Sequence, residues 1–313
     1  MKFNSRLLVL WCLLALCSPI SSISMADSSS PAKTPAMNDA GNMLYHGIYD
    51  NKEIRLKDGK WSGKPYVKGA ASRPTAGLVK NFTFSGDIDG NGTQERVVFL
   101  WESSGGSGTR LYMALLGFHN DKLVNLDTHF IGDRVELIVG NINQGKIRLD
   151  VIQSDKGDAA CCPTHKTLRT WSLKNNHKSM QLIENQPQSL GRISLTDLEG
   201  VEWTLTQMNW YETLTVNTKI TMTFKDNKIS GRSGCNRYFA AVKEGKMPKD
   251  IAIGQAGMTR MACPAALMEL ESRFLNALSN VKKYSFVNGQ LALAWKDEDA
   301  MSTMLFRAQK VKL

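Results

Sequence analysis

Between Phe82 and Trp171 short apolar segments follow one another without a helical period: Phe82-Thr83-Phe84, Val97-Val98-Phe99-Leu100-Trp101, Leu111-Tyr112-Met113-Ala114-Leu115-Leu116, Val135-Glu136-Leu137-Ile138-Val139, Ile147-Arg148-Leu149-Asp150-Val151 and Leu168-Arg169-Thr170-Trp171. Turn residues separate them, as in Asn143-Gln144-Gly145 and Lys174-Asn175-Asn176. Short strands with Gly, Asn and Asp between them predict an all-β antiparallel domain over residues 46–185. Asp58-Gly59, between Glu53-Ile54-Arg55-Leu56 and Lys60-Trp61, predicts a tight hairpin, because this dipeptide accepts positive φ at both central positions.

The second half reads differently. Thr196-Asp197-Leu198-Glu199 has capping-box spacing and predicts a short helical turn before Trp203. Ile220-Thr221-Met222-Thr223-Phe224 alternates like a half-buried strand, and Asp226-Asn227 turns the chain into Lys228-Ile229-Ser230. Pro264 then opens a helix in which Leu267, Leu270, Phe274, Leu278 and Val281 form one apolar face. Tyr284-Ser285-Phe286-Val287 and Leu291-Ala292-Leu293-Ala294-Trp295 flank an Asn288-Gly289 turn, and Met304-Leu305-Phe306 follows as a last strand. One helix on a curved antiparallel sheet makes residues 195–313 an α+β domain. Asn185-Gln186-Pro187-Gln188-Ser189 is linker-like, so residues 186–194 are expected to join the two domains, for which 313 residues suffice.

Lys2 and Arg6 precede an apolar run from Leu7 to Leu16, and Ser24-Met25-Ala26 supplies small residues for cleavage. Residues 1–26 thus read as a signal peptide, and residues 27–45 as a flexible leader. The run is about half the ~20 residues that span a bilayer. No later segment is long and apolar enough to span, so no transmembrane span is expected after cleavage. Leu14-Ala15-Leu16-Cys17 raises lipidation at Cys17 as an alternative, against which stands the bulk of Leu16 where a small residue is wanted. The expected location is therefore the periplasm or cell envelope. Of six cysteines, Cys12 and Cys17 fall in the signal segment. Cys235 and Cys263, both in the second domain, are the favoured disulfide among the three connectivities that four cysteines allow. Adjacent Cys161 and Cys162 are expected as thiols in a turn before Pro163, a vicinal bridge being sterically awkward.

The formal charge of +10 falls to about +8 without Lys2 and Arg6, and no basic run of five or more occurs. That argues against a nucleic-acid footprint and leaves a mild attraction to anionic surfaces.

Asp87-Ile88-Asp89-Gly90-Asn91-Gly92-Thr93-Gln94-Glu95 places oxygen side chains at alternate positions around a sharp turn. A hard cation takes six to eight oxygens, so Asp87, Asp89, Asn91 and Glu95, with the carbonyl of Thr93, form a candidate Ca²⁺ set. The alternative is a polar turn rich in Asp, Asn and Gly for backbone reasons alone. No other cofactor is expected. Ser103-Ser104-Gly105-Gly106-Ser107-Gly108-Thr109 lacks the Lys of a phosphate loop and reads as a strand-to-strand loop. Cys161, Cys162 and His165 lack a well-placed fourth zinc ligand, His129 and His177 included. No nucleophile elbow or catalytic-cysteine context accompanies the five histidines.

Leu198-Glu199-Gly200-x-x-Trp203-x-Leu205, Gly231-x-x-Gly234-Cys235-Asn236-x-Tyr238, Met258-Thr259-x-Met261-Ala262-Cys263-Pro264, Glu271-x-x-Phe274-Leu275-x-x-Leu278 and Leu291-x-Leu293 occur in this order. Together they resemble the META domain, the family of heat-inducible envelope lipoproteins often called HslJ. The motif residues Gly231, Gly234, Asn236, Tyr238 and Thr259 lie beside the two cysteines. Gly86-Asp87-x-Asp89-Gly90-Asn91-Gly92, Gly105-Gly106-Ser107-Gly108, Gly132-Asp133-Arg134-Val135 and Cys161-Cys162-Pro163 resemble a β-rich segment that accompanies META domains in some bacterial envelope proteins. The resemblance implies an α+β fold, export to the envelope, a loose link to heat or antibiotic stress, and no catalytic activity. Three functions stay open: a non-enzymatic protein that binds an envelope component, a Ca²⁺-stabilised binding or sensing module, and an enzyme acting on envelope polymers.

Overall fold

Val97, Val98, Phe99 and Leu100 are buried one after another, which a half-exposed strand does not allow. Their strand, Glu95–Ser103, is covered on both faces, so its continuous apolar run is what the packing demands. This is seen in a computed structural model that describes residues 34–49, 52–159, 161–176, 179–210, 212–214, 219–297 and 300–309. The signal segment, Cys17 and His177 lie outside the described residues.

The strand belongs to a six-stranded antiparallel sheet in the order Lys60–Ser62, Thr75–Leu78, Glu95–Ser103, Arg110–His119, Lys122–Asp133, with Phe84–Gly86 also on Glu95–Ser103. A five-stranded sheet, Ser179–Glu184, His165–Asn176, Lys146–Gln153 and Glu136–Asn143, with Gln188–Arg192 added to His165–Asn176, packs on one side. Val97, Phe99, Met113 and Leu115 of the first sheet meet Ile147, Leu149, Val151 and Trp171 of the second. Val98, Leu100, Ala114 and Leu116 point the other way and are covered by Ala40, Met43, Tyr45, Ile48 and Ile54. Residues 34–45 were expected as flexible leader, and here they are part of the core: Ala40 and Tyr45 are fully buried, and the Tyr45 hydroxyl donates to Ala40 O at 2.8 Å.

The second half is one long antiparallel sheet, Ile251–Ile253, Arg237–Glu244, Lys228–Arg232, Thr221–Lys225, Glu202–Asn209, Ala300–Gln309, Gln290–Asp297, Val281–Val287. It curls until its ends meet: Asp250 bridges to Lys283, and Tyr284 N donates to Lys249 O at 2.9 Å. Trp203, Met222, Ile229, Leu291 and Phe306 fill the interior, and the helix Ala265–Ser279 lays Phe274, Ala277 and Leu278 against it. The expected fold class, antiparallel β followed by α+β with one main helix, is what the chain adopts. Asp226-Asn227 and Asn288-Gly289 turn with φ of 50°, 56°, 50° and 75°.

Several local expectations are corrected. Asp58-Gly59 does turn, with φ of 51° and 76°, and Lys57 bridges Lys60. Its arms then part, Lys52–Arg55 pairing with Leu44–Ile48 and Lys60–Ser62 with Thr75–Leu78, because each finds a longer partner elsewhere. The capping box belongs to Ser194 and Asp197 around the 3₁₀ turn Leu195–Leu198, two residues earlier than Thr196 and Glu199. Residues 186–194, expected as a linker, contain a paired strand, Thr167 facing Ser189. Across the junction Glu136 accepts from Lys249 Nζ and from Phe286 N at 2.9 Å, and Gly289 N donates to Leu137 O at 3.0 Å.

Candidate functional site

Strand pair Lys228–Arg232 and Arg237–Glu244 is joined by a tight corner, Ser233-Gly234-Cys235-Asn236, at which the motif residues Gly231, Gly234, Asn236, Tyr238 and Thr259 gather. Cys235 is bonded to Cys263 with Cα atoms 6.1 Å apart, inside the usual disulfide span. The bond ties the corner to the start of the helix. Gly231 has no room for a side chain: a Cβ there would lie 1.9 Å from Thr221 O. Gly234 has φ +114°, a conformation that side chains resist. The Tyr238 hydroxyl donates to Thr221 O at 3.0 Å, and its ring packs edge-on to Phe274 with centroids 5.5 Å apart. Burial pushes the Tyr238 phenol upward, so it stays protonated.

Below the corner sits a carboxylate to which the sequence pattern assigns no task. Glu271 is 3% exposed and accepts from Ser233 Oγ, Asn236 N at 2.8 Å and Asn236 Nδ2 at 2.8 Å. Asn236 Oδ1 accepts in turn from Thr259 Oγ1 and Met261 N, each at 2.8 Å. Desolvation works to raise the Glu271 pKa, but the donors from Ser233 and Asn236 outweigh it and hold it below the ordinary glutamate value. Its acceptor positions are thus occupied by the protein itself, an arrangement that locks the corner. Glu271 shares a face with Phe274 and Leu278, and a carboxylate among apolar positions was the available signal.

In the first half, Asp87, Asp89 and Glu95 each offer a carboxylate oxygen within 4.8 Å of the others. Asp87 accepts from Gly90 N at 2.7 Å and Gly92 N at 2.9 Å, which lowers its pKa, Gly92 contributing most. Asp89 accepts from Asn91 N at 3.1 Å, and Asn91 Oδ1 from Thr93 N at 2.7 Å. Glu95 is 3% exposed and accepts from Ile88 N at 3.0 Å; burial, then the charges of Asp89 and Asp87, raise its pKa. Of the predicted set, the loop brings three carboxylates together and spends the Asn91 carbonyl oxygen on Thr93.

The remaining motifs of the first half meet at one rim. Arg134 N donates to Thr109 O at 2.8 Å, Thr109 N to Asp133 Oδ1 at 2.9 Å, and Arg134 Nη2 to Ser107 Oγ at 3.3 Å. This ties Gly105–Gly108 to Gly132–Val135 beside a groove of about 1160 Å³. Trp101, Lys60, Lys80, Arg134, Cys161 and Val287 are among its walls, so both halves build it. Sequence reading missed Trp101, Lys60 and Lys80, which lie on two different strands and a turn and meet only in the fold.

Cys161 and Cys162 are bonded to each other, which corrects the expectation of thiols and removes both as zinc ligands. The pair lies in a turn in which Cys162 N donates to Ala159 O at 2.9 Å. His165 Nε2 lies 3.0 Å from Ser189 Oγ, and its Nδ1 3.6 Å from Asp155 Oδ2. That order is nucleophile, base and orienting acid, but the second link is too long for a hydrogen bond, and all five residues of Gln188–Arg192 are exposed.

Residues 196–310 match the model of the META domain. No curated protein matches the chain. Among solved structures, it is similar to an NMR structure of a protein from Burkholderia xenovorans, with 23% identity over 41% of this chain and 100% of that one and a TM-score of 0.31. A second NMR structure of a protein has 22% identity over 36% of this chain and 94% of that one, with a TM-score of 0.29.

Proposed function

Since residues 196–310 form a META domain, we propose that this META-type envelope protein is a non-enzymatic, stress-related component that binds another envelope molecule in the groove between its two halves. The observation that carries this is the convergence on one rim of three separate sequence segments with Trp101, opposite Val287 and Asn288 of the META half. A cleft with an aromatic wall and a few placed polar groups is the ordinary form of a binding site. Export and cleavage after Ala26 belong to the same reading, as does the absence of lipid at Cys17. The test passes envelope extract over immobilised protein and over Trp101→Ala. A component held by the first and lost from the second supports the proposal, and identical retention on both defeats it.

The non-enzymatic part rests on the saturation of Glu271 and on the 3.6 Å gap between His165 and Asp155. A hydrolase screen with Ser189→Ala as control tests it, and turnover that disappears in the variant would refute it.

A second reading is a Ca²⁺-stabilised first half, favoured by the three carboxylates of Asp87, Asp89 and Glu95 within 4.8 Å. Ca²⁺ at 100 times its dissociation constant would add about 2.7 kcal/mol to the binding part. Thermal unfolding in Ca²⁺ against chelator, with Asp87→Asn as control, decides between metal site and plain turn.

A further inference from the structure

We propose that the outer face of the META-half strands Thr221–Lys225, Lys228–Arg232 and Arg237–Glu244 is a docking surface for a membrane bearing anionic phospholipid headgroups. Burial alternates along these strands, Phe224, Ile229, Tyr238, Ala240 and Val242 pointing inward. The opposite parity carries Lys225, Lys228, Arg232, Arg237 and Lys243 to solvent.

The register makes this arrangement costly. Arg232 stands directly opposite Arg237, and Lys225 directly opposite Lys228. Like charges facing each other across strands destabilise a sheet, and an alternating pattern would avoid the cost. None of the five cations has an ion-pair partner among the described residues, whereas Lys219 beside them is paired with Glu202 at 3.2 Å. The nearby acids are turned to other work: Glu244 accepts from Leu195 N, and Asp226 sits in the turn.

An anionic counterpart relieves that repulsion, and Phe239 chooses among anionic counterparts. It is 65% exposed, on the outward parity next to Arg237, and its ring lies against Gly257, where a Cβ would come within 2.7 Å of it. A phenyl ring without a polar handle among cations suits the headgroup boundary, where charge and acyl chain lie within one side-chain length. The face also holds a hollow of about 490 Å³ lined by Glu202, Thr223, Ser230, Arg232 and Arg237, a recess in which a headgroup phosphate can meet both arginines.

The test uses the chain from Asp27 onward, which contains every described residue, and co-sedimentation with phosphatidylcholine vesicles with or without phosphatidylglycerol. Binding to the anionic vesicles alone, released by salt, is expected. Arg232→Ser with Arg237→Ser, or Lys225→Ser with Lys228→Ser, should weaken it on the order of 30-fold, about fivefold per cation. Phe239→Ser should weaken it further, and Lys146→Ser with Lys174→Ser in the other half should not. Both cationic double variants should keep or raise the wild-type Tm, since each removes a like-charge pair. Equal binding to neutral vesicles, binding indifferent to the double variants, or capture of polyphosphate or oligonucleotide in place of vesicles would each overturn the proposal.

Discussion

Glu271, on the long helix, receives both the backbone and the side-chain amide of Asn236 at 2.8 Å each. One carboxylate thus fixes the helix to the corner that carries Cys235. Glu271→Ala leaves these buried donors without an acceptor and should cost about 3 kcal/mol in urea unfolding. Glu271→Gln, which keeps one carbonyl oxygen, should cost less. A loss below about 1 kcal/mol for the alanine variant would show that the corner stands without it.

The pH dependence separates two groups. Glu271 has a folded-state pKa below its ordinary 4.5, so its contribution is fully present above that value and is lost as pH falls through the lowered pKa. His129 is raised above 6.5, first by its hydrogen bond to Asp127 and then, against desolvation, by the Asp127 charge. Its contribution is full below 6.5 and is lost as pH rises through the raised pKa. Urea midpoints across pH should lose part of the acid slope in Glu271→Gln, Asp87 and Asp127 keeping the rest, and the slope above 6.5 in His129→Asn.

The Cys235–Cys263 bond, with a sequence separation of 28, closes a loop worth roughly 3 to 4 kcal/mol in the chain-entropy model. Cys235→Ser with Cys263→Ser should lower urea stability by about that amount. Reductant should then have little further effect on the META half.

Gly231→Ala must push apart Lys228–Arg232 and Thr221–Lys225, since its Cβ would fall 1.9 Å from Thr221 O, the atom that also accepts from Tyr238. The cost should exceed about 2 kcal/mol. Gly106→Ala, with nothing within 4 Å of its Cβ, should stay within about 0.5 kcal/mol of the parent. Thermal unfolding of the pair reads the difference directly.

Glu136 and Lys249 pair across the junction with side chains 15% and 8% exposed. Glu136→Ala strands a buried cation and should cost about 3 to 5 kcal/mol, while Glu136→Leu with Lys249→Met should come close to neutral. Calorimetry should show one transition for the parent and two for Glu136→Ala if this pair couples the halves.

Much of this protein was legible from local pattern. Asp226-Asn227 and Asn288-Gly289 turn where they must because their residues tolerate positive φ, and Pro264 followed by apolar residues at helical spacing starts the helix. The META resemblance placed Gly231, Asn236 and Tyr238 at one locus before any geometry was known. By itself, then, the sequence determined strands, turns, the helix and the order of the two halves, since each depends on the φ and ψ preferences of neighbouring residues. Tertiary structure alone decided that residues 34–45 cover a sheet, that the arms beyond Asp58-Gly59 pair with different partners, and that Glu271 is the acceptor beneath the corner. Those outcomes depend on which surfaces distant segments bury together, and burial is a property of the assembled chain, which no window of its residues contains.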